Sequence, residues 1–134
     1  MANPILQLTP PVFGLSAIVN VSNKVGPKQV NTPADVRIVQ RLIQMATKGV
    51  QNFARIGIPN ATGIYDAATG FYIYHMQNNQ RRGHLNFGID GIISPARATG
   101  FSGAETWALI HFNSWAKERS GPEFAAFLAS GGTT

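Results

Sequence analysis

The stretch TGIYDAATGFYIYHMQ, residues Thr62 to Gln77, opens as a turn and closes with the spacing of a helix, and its reading decides the fold. Gly63 suits a tight turn, Asp66 is an N-cap, and Thr69 falls inside the first helical turn. Phe71 or Tyr72, Ile73 and Met76 then form an apolar side. The pattern predicts a helix from the Asp66 cap to about Arg82, stopped by Gly83. Further on, DGIISPARATGFSGAETWALIHFN, residues Asp90 to Asn113, repeats the plan. Asp90-Gly91 is a turn signal, Ser102 and Glu105 form a capping box, and Trp107, Leu109, Ile110, Phe112 and Trp115 supply core surface. One stretch ends His75-Met76-Gln77, the other His111-Phe112-Asn113.

A third helix precedes both. In NTPADVRIVQRLIQMATKG, Thr32 is the expected N-cap, Pro33 takes the first position, and Asp35 favours the positive helix start. Val36, Val39, Ile43 and Ala46 make an apolar stripe that Leu42 broadens, opposite Arg37, Arg41, Gln44 and Lys48. Gly49 ends it. After the second aromatic helix, Ser120 and Glu123 form another capping box and open a short helix through Leu128. Residues 1–31 read as extended: Val12 to Val21 is rich in Val, Ile and Phe, and the turn-like SNKVGPKQ follows. Such an arm either folds back as one or two short strands or pairs with a neighbouring chain.

At 134 residues the chain suits one domain with a core of its own. Hydrophobic residues reach 44% and charged ones only 13%, the balance of a folded protein. Without cysteine, disulfide frameworks and thiolate metal sites are excluded. Eleven Lys and Arg against six acids give a formal charge of +5 and a pI of about 10.1, which suits an anionic partner or plain solubility. No basic residue precedes Lys24, and Pro4, Pro10 and Pro11 interrupt the apolar N-terminal run, so a secretory signal is not expected. Nor does any apolar run approach the roughly twenty residues of a membrane span. The expectation is synthesis in the cytoplasm, with delivery to the periplasm or to a phage or secretion particle by another route.

The order of these motifs resembles the peptidoglycan-binding-domain-like family, small three-helix modules attached to many cell-wall hydrolases. The residues that carry the resemblance are Asp35, Val39, Gln40 and Leu42 in ADVRIVQRLI; Gly63, Tyr65, Thr69, Ile73, Met76 and Gln77 in the first stretch; Asp90 and Gly91 in IDGIISPA; and Thr106, Trp107 and Leu109 in ETWALIHFN. It spans roughly residues 25–115. Asp66-Ala67 and Tyr72 depart from the family pattern, both loops are longer than usual, and the first thirty residues lie outside it. The resemblance implies an all-α fold, a three-helix bundle of peptidoglycan-binding-domain type with an extended N-terminal arm (1–31) and a helical domain (32–134) ending in a short C-terminal helix.

Catalysis is not expected. Glycan hydrolysis needs two facing carboxylates, and the six acids already have structural places: Asp35, Glu105 and Glu123 in first helical turns, Asp66 at a cap, Asp90 in a turn, Glu118 near a helix end. His75, His84 and His111 lack metal-ligand spacing, so neither metal nor cofactor is expected. Binding residues fit better. Tyr72, Tyr74 and Trp107 offer faces to sugars, Gln77 and Asn78 offer amides, and Arg81 and Arg97 suit stem-peptide carboxylates. Each has a structural alternative: Trp107 as core, Arg81-Arg82 as a solvated helix end, Gln40 and Gln77 as buried amides tying a loop to the bundle. The resemblance therefore implies a non-catalytic module for peptidoglycan. The alternative is a structural or adaptor component of a phage tail, contractile injection or type VI-like secretion apparatus, with Val12 to Val21 as a protein contact. Nucleic acid is not the expected partner, because the basic residues are spread over several elements.

Overall fold

The structure, a computed structural model, describes residues 4–49, 57–82, 89–97 and 108–134. Its elements run β1 (Ile5–Val12), β2 (Leu15–Val19), α1 (Pro33–Ala46), α2 (Ala67–Arg82), α3 (Ala108–Arg119) and α4 (Gly121–Ala129). The all-α expectation is overturned: among the described residues an antiparallel two-stranded hairpin joins four helices, a mixed fold. Phe13 and Gly14, with φ of 52° and 73°, make the two-residue turn that such a hairpin favours. Ile5 pairs with Val19, Leu6 with Ile18 and Gln7 with Ala17, and the register then slips before Val12 meets Leu15. The slipped segment holds Thr9, Pro10 and Pro11, so the prolines that argue against a strand sit where the ladder is broken anyway.

A two-stranded ribbon is marginal alone, and this one is held by the helices. Leu8, Leu15, Ile18, Val19 and Val21 share one buried cluster with Val36, Val39, Leu42 and Ile43 of α1, Ile73 and Met76 of α2, and Leu109, Ile110 and Phe112 of α3. Phe124 and Phe127 of α4 close it. Glu123 ties α4 to α1 from outside, 2.8 Å from Arg41 and 2.9 Å from Lys48. These two cations hold its carboxyl below the ordinary range.

Three helices each commit a buried carboxamide to a non-helical segment. Asn113 of α3 accepts the Val19 N–H at 2.9 Å and donates to the Val19 carbonyl at 3.0 Å. Gln40 of α1 accepts the Gly63 N–H and donates to the Ile64 carbonyl. Gln77 of α2 does the same for Gly91 and Ile92. The echo between the two aromatic stretches is thus structural: their terminal Gln77 and Asn113 perform one task. Gly63 has φ of 78° and lies where a β-carbon would meet the Pro33 carbonyl at 2.9 Å, so the first turn admits no larger residue without strain.

Helix starts follow the sequence unevenly. Asp66 caps α2 through the Thr69 N–H, and the Thr69 hydroxyl also donates to Asp66 while accepting from Gln40. Thr32 and Ser120 make no side-chain cap bond. Ser120 instead donates to the Met45 carbonyl, joining α4 to the end of α1. Asp35, expected to serve the α1 dipole, is buried and accepts the Ser22 and Asn23 N–H groups, so it fixes the turn after the hairpin. The expected start of the third helix at Ser102, with Glu105, lies outside the described residues.

Asn113→Leu removes the partner of two buried main-chain groups at Val19 and should cost about 2–5 kcal/mol in urea unfolding; a loss below about 1 kcal/mol would contradict the clamp. A second expectation concerns acid. The His111 ring lies between Phe13 and Trp115, and burial holds its pKa below the usual value against an opposing pull from Glu118. The unfolded chain then takes up the proton first, so this contribution is complete above about pH 6.5 and declines as pH falls below it. His111→Phe should flatten that part of the stability–pH curve, and an unchanged slope would contradict the assignment.

Candidate functional site

Aromatic residues surround α2, and packing sorts them. Tyr72, Ile73 and Met76 turn inward and are fully buried. Phe71 and Tyr74 remain 39% and 55% exposed. With His75 and Asn78 they stand at i, i+3, i+4 and i+7, one continuous stripe on the outer face of the helix. The Phe71 and His75 rings stack nearly parallel, 5.3 Å apart and 12° from coplanar. Phe71 is also propped edge-on against buried Tyr72 at 5.4 Å, which ties the outer row to the core. The helix backs this row firmly, because Gln77 below it is clamped to the Gly91 turn and Gly70 packs on the Tyr65 ring.

The residues singled out from the sequence fall into distinct places. Tyr74 is an exposed ring and Asn78 is half-buried beside it. Tyr72 is a core residue, and burial raises its phenol pKa. Gln77 is buried, with both ends of its amide engaged by the turn. These two burials remove Tyr72 and Gln77 from any surface contact with a ligand. Arg97 is exposed, in the loop after the Val25–Ile93 bridge. The Arg81 side chain and the whole of Trp107 lie outside the described residues. Sequence reading passed over Phe71 and His75 as site residues. Their i, i+4 spacing with each other and i+3 spacing to Tyr74 was the available signal.

Of the five acids among the described residues, four are engaged and Glu118 is exposed. Asp35 accepts two main-chain N–H groups, Asp66 caps α2, Asp90 accepts the Ile92 N–H, and Glu123 is paired with two cations. Among the described residues no three His, Asp or Glu side chains gather as metal ligands would. The outer α2 face presents the exposed rings of Phe71 and Tyr74, with half-buried His75 and Asn78 beside them. A separate concavity of about 400 Å³ opens at the start of α1, walled by Pro4, Thr32, Ala34, Arg37, Ile38 and Gly132. None of the residues singled out for ligand contact lines it. No helix among the described residues is long and apolar enough to cross a membrane.

No family model, curated protein or solved structure matches the chain.

Tyr72→Ala should cost about 3–5 kcal/mol, as expected for deleting a fully buried ring. Tyr74→Ala, on the same helix, should change stability by less than about 0.5 kcal/mol. Equal losses in thermal or denaturant unfolding would contradict the sorting of the two faces.

Proposed function

We propose that the chain is a non-catalytic module that binds cell-wall peptidoglycan through the outer face of α2. The observation that carries this reading is the pair of exposed rings, Phe71 and Tyr74, on the outer face of α2, with half-buried His75 stacked on Phe71 and half-buried Asn78 beside them. Flat rings held from below match the apolar faces of sugars, and an amide within the row matches their hydroxyls. A rigid aromatic surface loses little conformational entropy on contact. The occupied carboxylates support a binding role over hydrolysis, which needs one protonated and one ionised acid across the bond. The resemblance of the chain's motif order to the peptidoglycan-binding-domain-like family suits the same reading. The net charge of +5 suits the stem-peptide carboxylates, with Arg97 the exposed guanidinium among the described candidates.

The second reading is an adaptor component of a phage tail or secretion apparatus. It is favoured by the hairpin, whose β2 edge is incompletely covered by the helices.

Sedimentation with purified sacculi tests the first reading. The intact protein should co-sediment, and the Phe71→Ala/Tyr74→Ala pair should lose about tenfold or more in affinity, a change of about 1.4 kcal/mol, while its melting temperature stays nearly constant. Absence of binding by the intact protein would overturn it, as would full binding by the double variant. Release of soluble muropeptides would contradict the non-catalytic part.

A further inference from the structure

The edge of β2 that faces away from β1 is covered at Val19, and the turn before β2 is tied to the same helix. At Val19 both main-chain groups are taken by the Asn113 carboxamide. At Gly14 the carbonyl accepts from the Lys117 ammonium at 3.2 Å. Asn113 and Lys117 are one turn apart on α3, so this helix brackets the edge. Between the two contacts lies Ala17. In an antiparallel ladder the direction of the main-chain groups alternates residue by residue. Val19 points its groups away from β1, and the pairing is regular from Val19 to Ala17, so Ala17 points the same way.

That edge opens into a groove of about 260 Å³ between β2 and α4. Leu15, Ser16 and Ala17 form one wall, and Phe124, Ala125 and Leu128 form an apolar wall opposite. Lys117 stands at its end, in no salt bridge among the described residues, and no acid lines it. The volume is below the ~300–1,000 Å³ of small-molecule pockets and is of the size that takes one or two side chains.

We infer that this groove docks an extended segment of a partner protein. The segment pairs its main chain with Ala17, as Asn113 already does with Val19, and sets an apolar side chain against Phe124 and Leu128. An acidic residue of the segment faces Lys117. Strand addition of this kind draws affinity from main-chain bonds and specificity from alternate side chains. The inference deepens the adaptor reading and does not depend on wall binding by α2, which uses other residues.

A phage-displayed library of linear peptides, panned against the intact protein, tests it. Enriched peptides should alternate apolar and acidic residues. As synthetic peptides they should perturb the Ala17, Ala125 and Leu128 amide resonances. Their affinity should fall about tenfold or more with Ala125→Trp, which fills the groove from an exposed helix position, and with Lys117→Glu. N-methylation of the peptide main chain should abolish binding without any change to the protein. Lack of enrichment would overturn the inference, as would peptides indifferent to N-methylation and to both variants. Loss of sacculus binding in Ala125→Trp would assign the groove to wall polymer instead. Concentration-dependent dimerisation abolished by Ala125→Trp would assign it to a second copy.

Discussion

A buried main-chain N–H or carbonyl must find a partner, and irregular segments cannot supply their own. This fold meets that constraint with side-chain carboxamides. An Asn or Gln side chain carries an acceptor and donors on one rigid plane, so it can accept an N–H and donate to a carbonyl of the same neighbouring segment. Gln40, Gln77 and Asn113 do so from inside three different helices. Asn20 repeats the arrangement on both main-chain groups of Ala96, and Asn31 on those of Gly26. The loops and the hairpin are thus joined to the helical core at fixed points. The Val25–Ile93 bridge then joins two of those loops to each other. Gly26 is needed there, since a β-carbon on it would meet the Gly91 carbonyl at 2.9 Å.

The helices were legible because caps and apolar spacing agree along them. Asp66, Thr69, Ile73 and Met76 point to one helix in one orientation, and α2 begins where they say. Gln40 and Gln77 were legible as loop ties because a Gly turn lies downstream of each. Asn113 was not, since its partner at Val19 is distant in sequence and belongs to a strand. The hairpin was legible in part: the Val, Ile and Phe of Val12 to Val21 pointed to one or two short strands folding back, but not to a first strand that begins at Ile5. Thr32 and Ser120 fit the capping pattern, yet neither makes a side-chain cap bond, and the Ser120 hydroxyl bonds the Met45 carbonyl. On α2, rings at Phe71, Tyr72 and Tyr74 left the helix without a polar face, so periodicity could not decide which ring was core. Packing decided it, and it removed Tyr72 and Gln77 from the candidate site while leaving Tyr74 in place.

Two surfaces of different chemistry follow from this frame. The outer face of α2 presents two exposed rings with an imidazole and an amide half-buried beside them. The β2 edge presents main-chain groups beside an apolar wall, a shape that suits an extended chain. Both depend on the carboxamide clamps. Gln77 holds the turn beneath the aromatic row, and Asn113 marks the side of β2 to which the Ala17 main chain also points.

The direct measurement is native-state amide hydrogen exchange at Val19, Gly63 and Gly91. None of the three lies in a helix, and each N–H donates to a buried carboxamide oxygen at 2.9 Å. The account predicts slow exchange, comparable to core amides of α1 and lost only in near-global opening. Exchange as fast as in an exposed loop at these three positions would show that the clamps do not hold the fold.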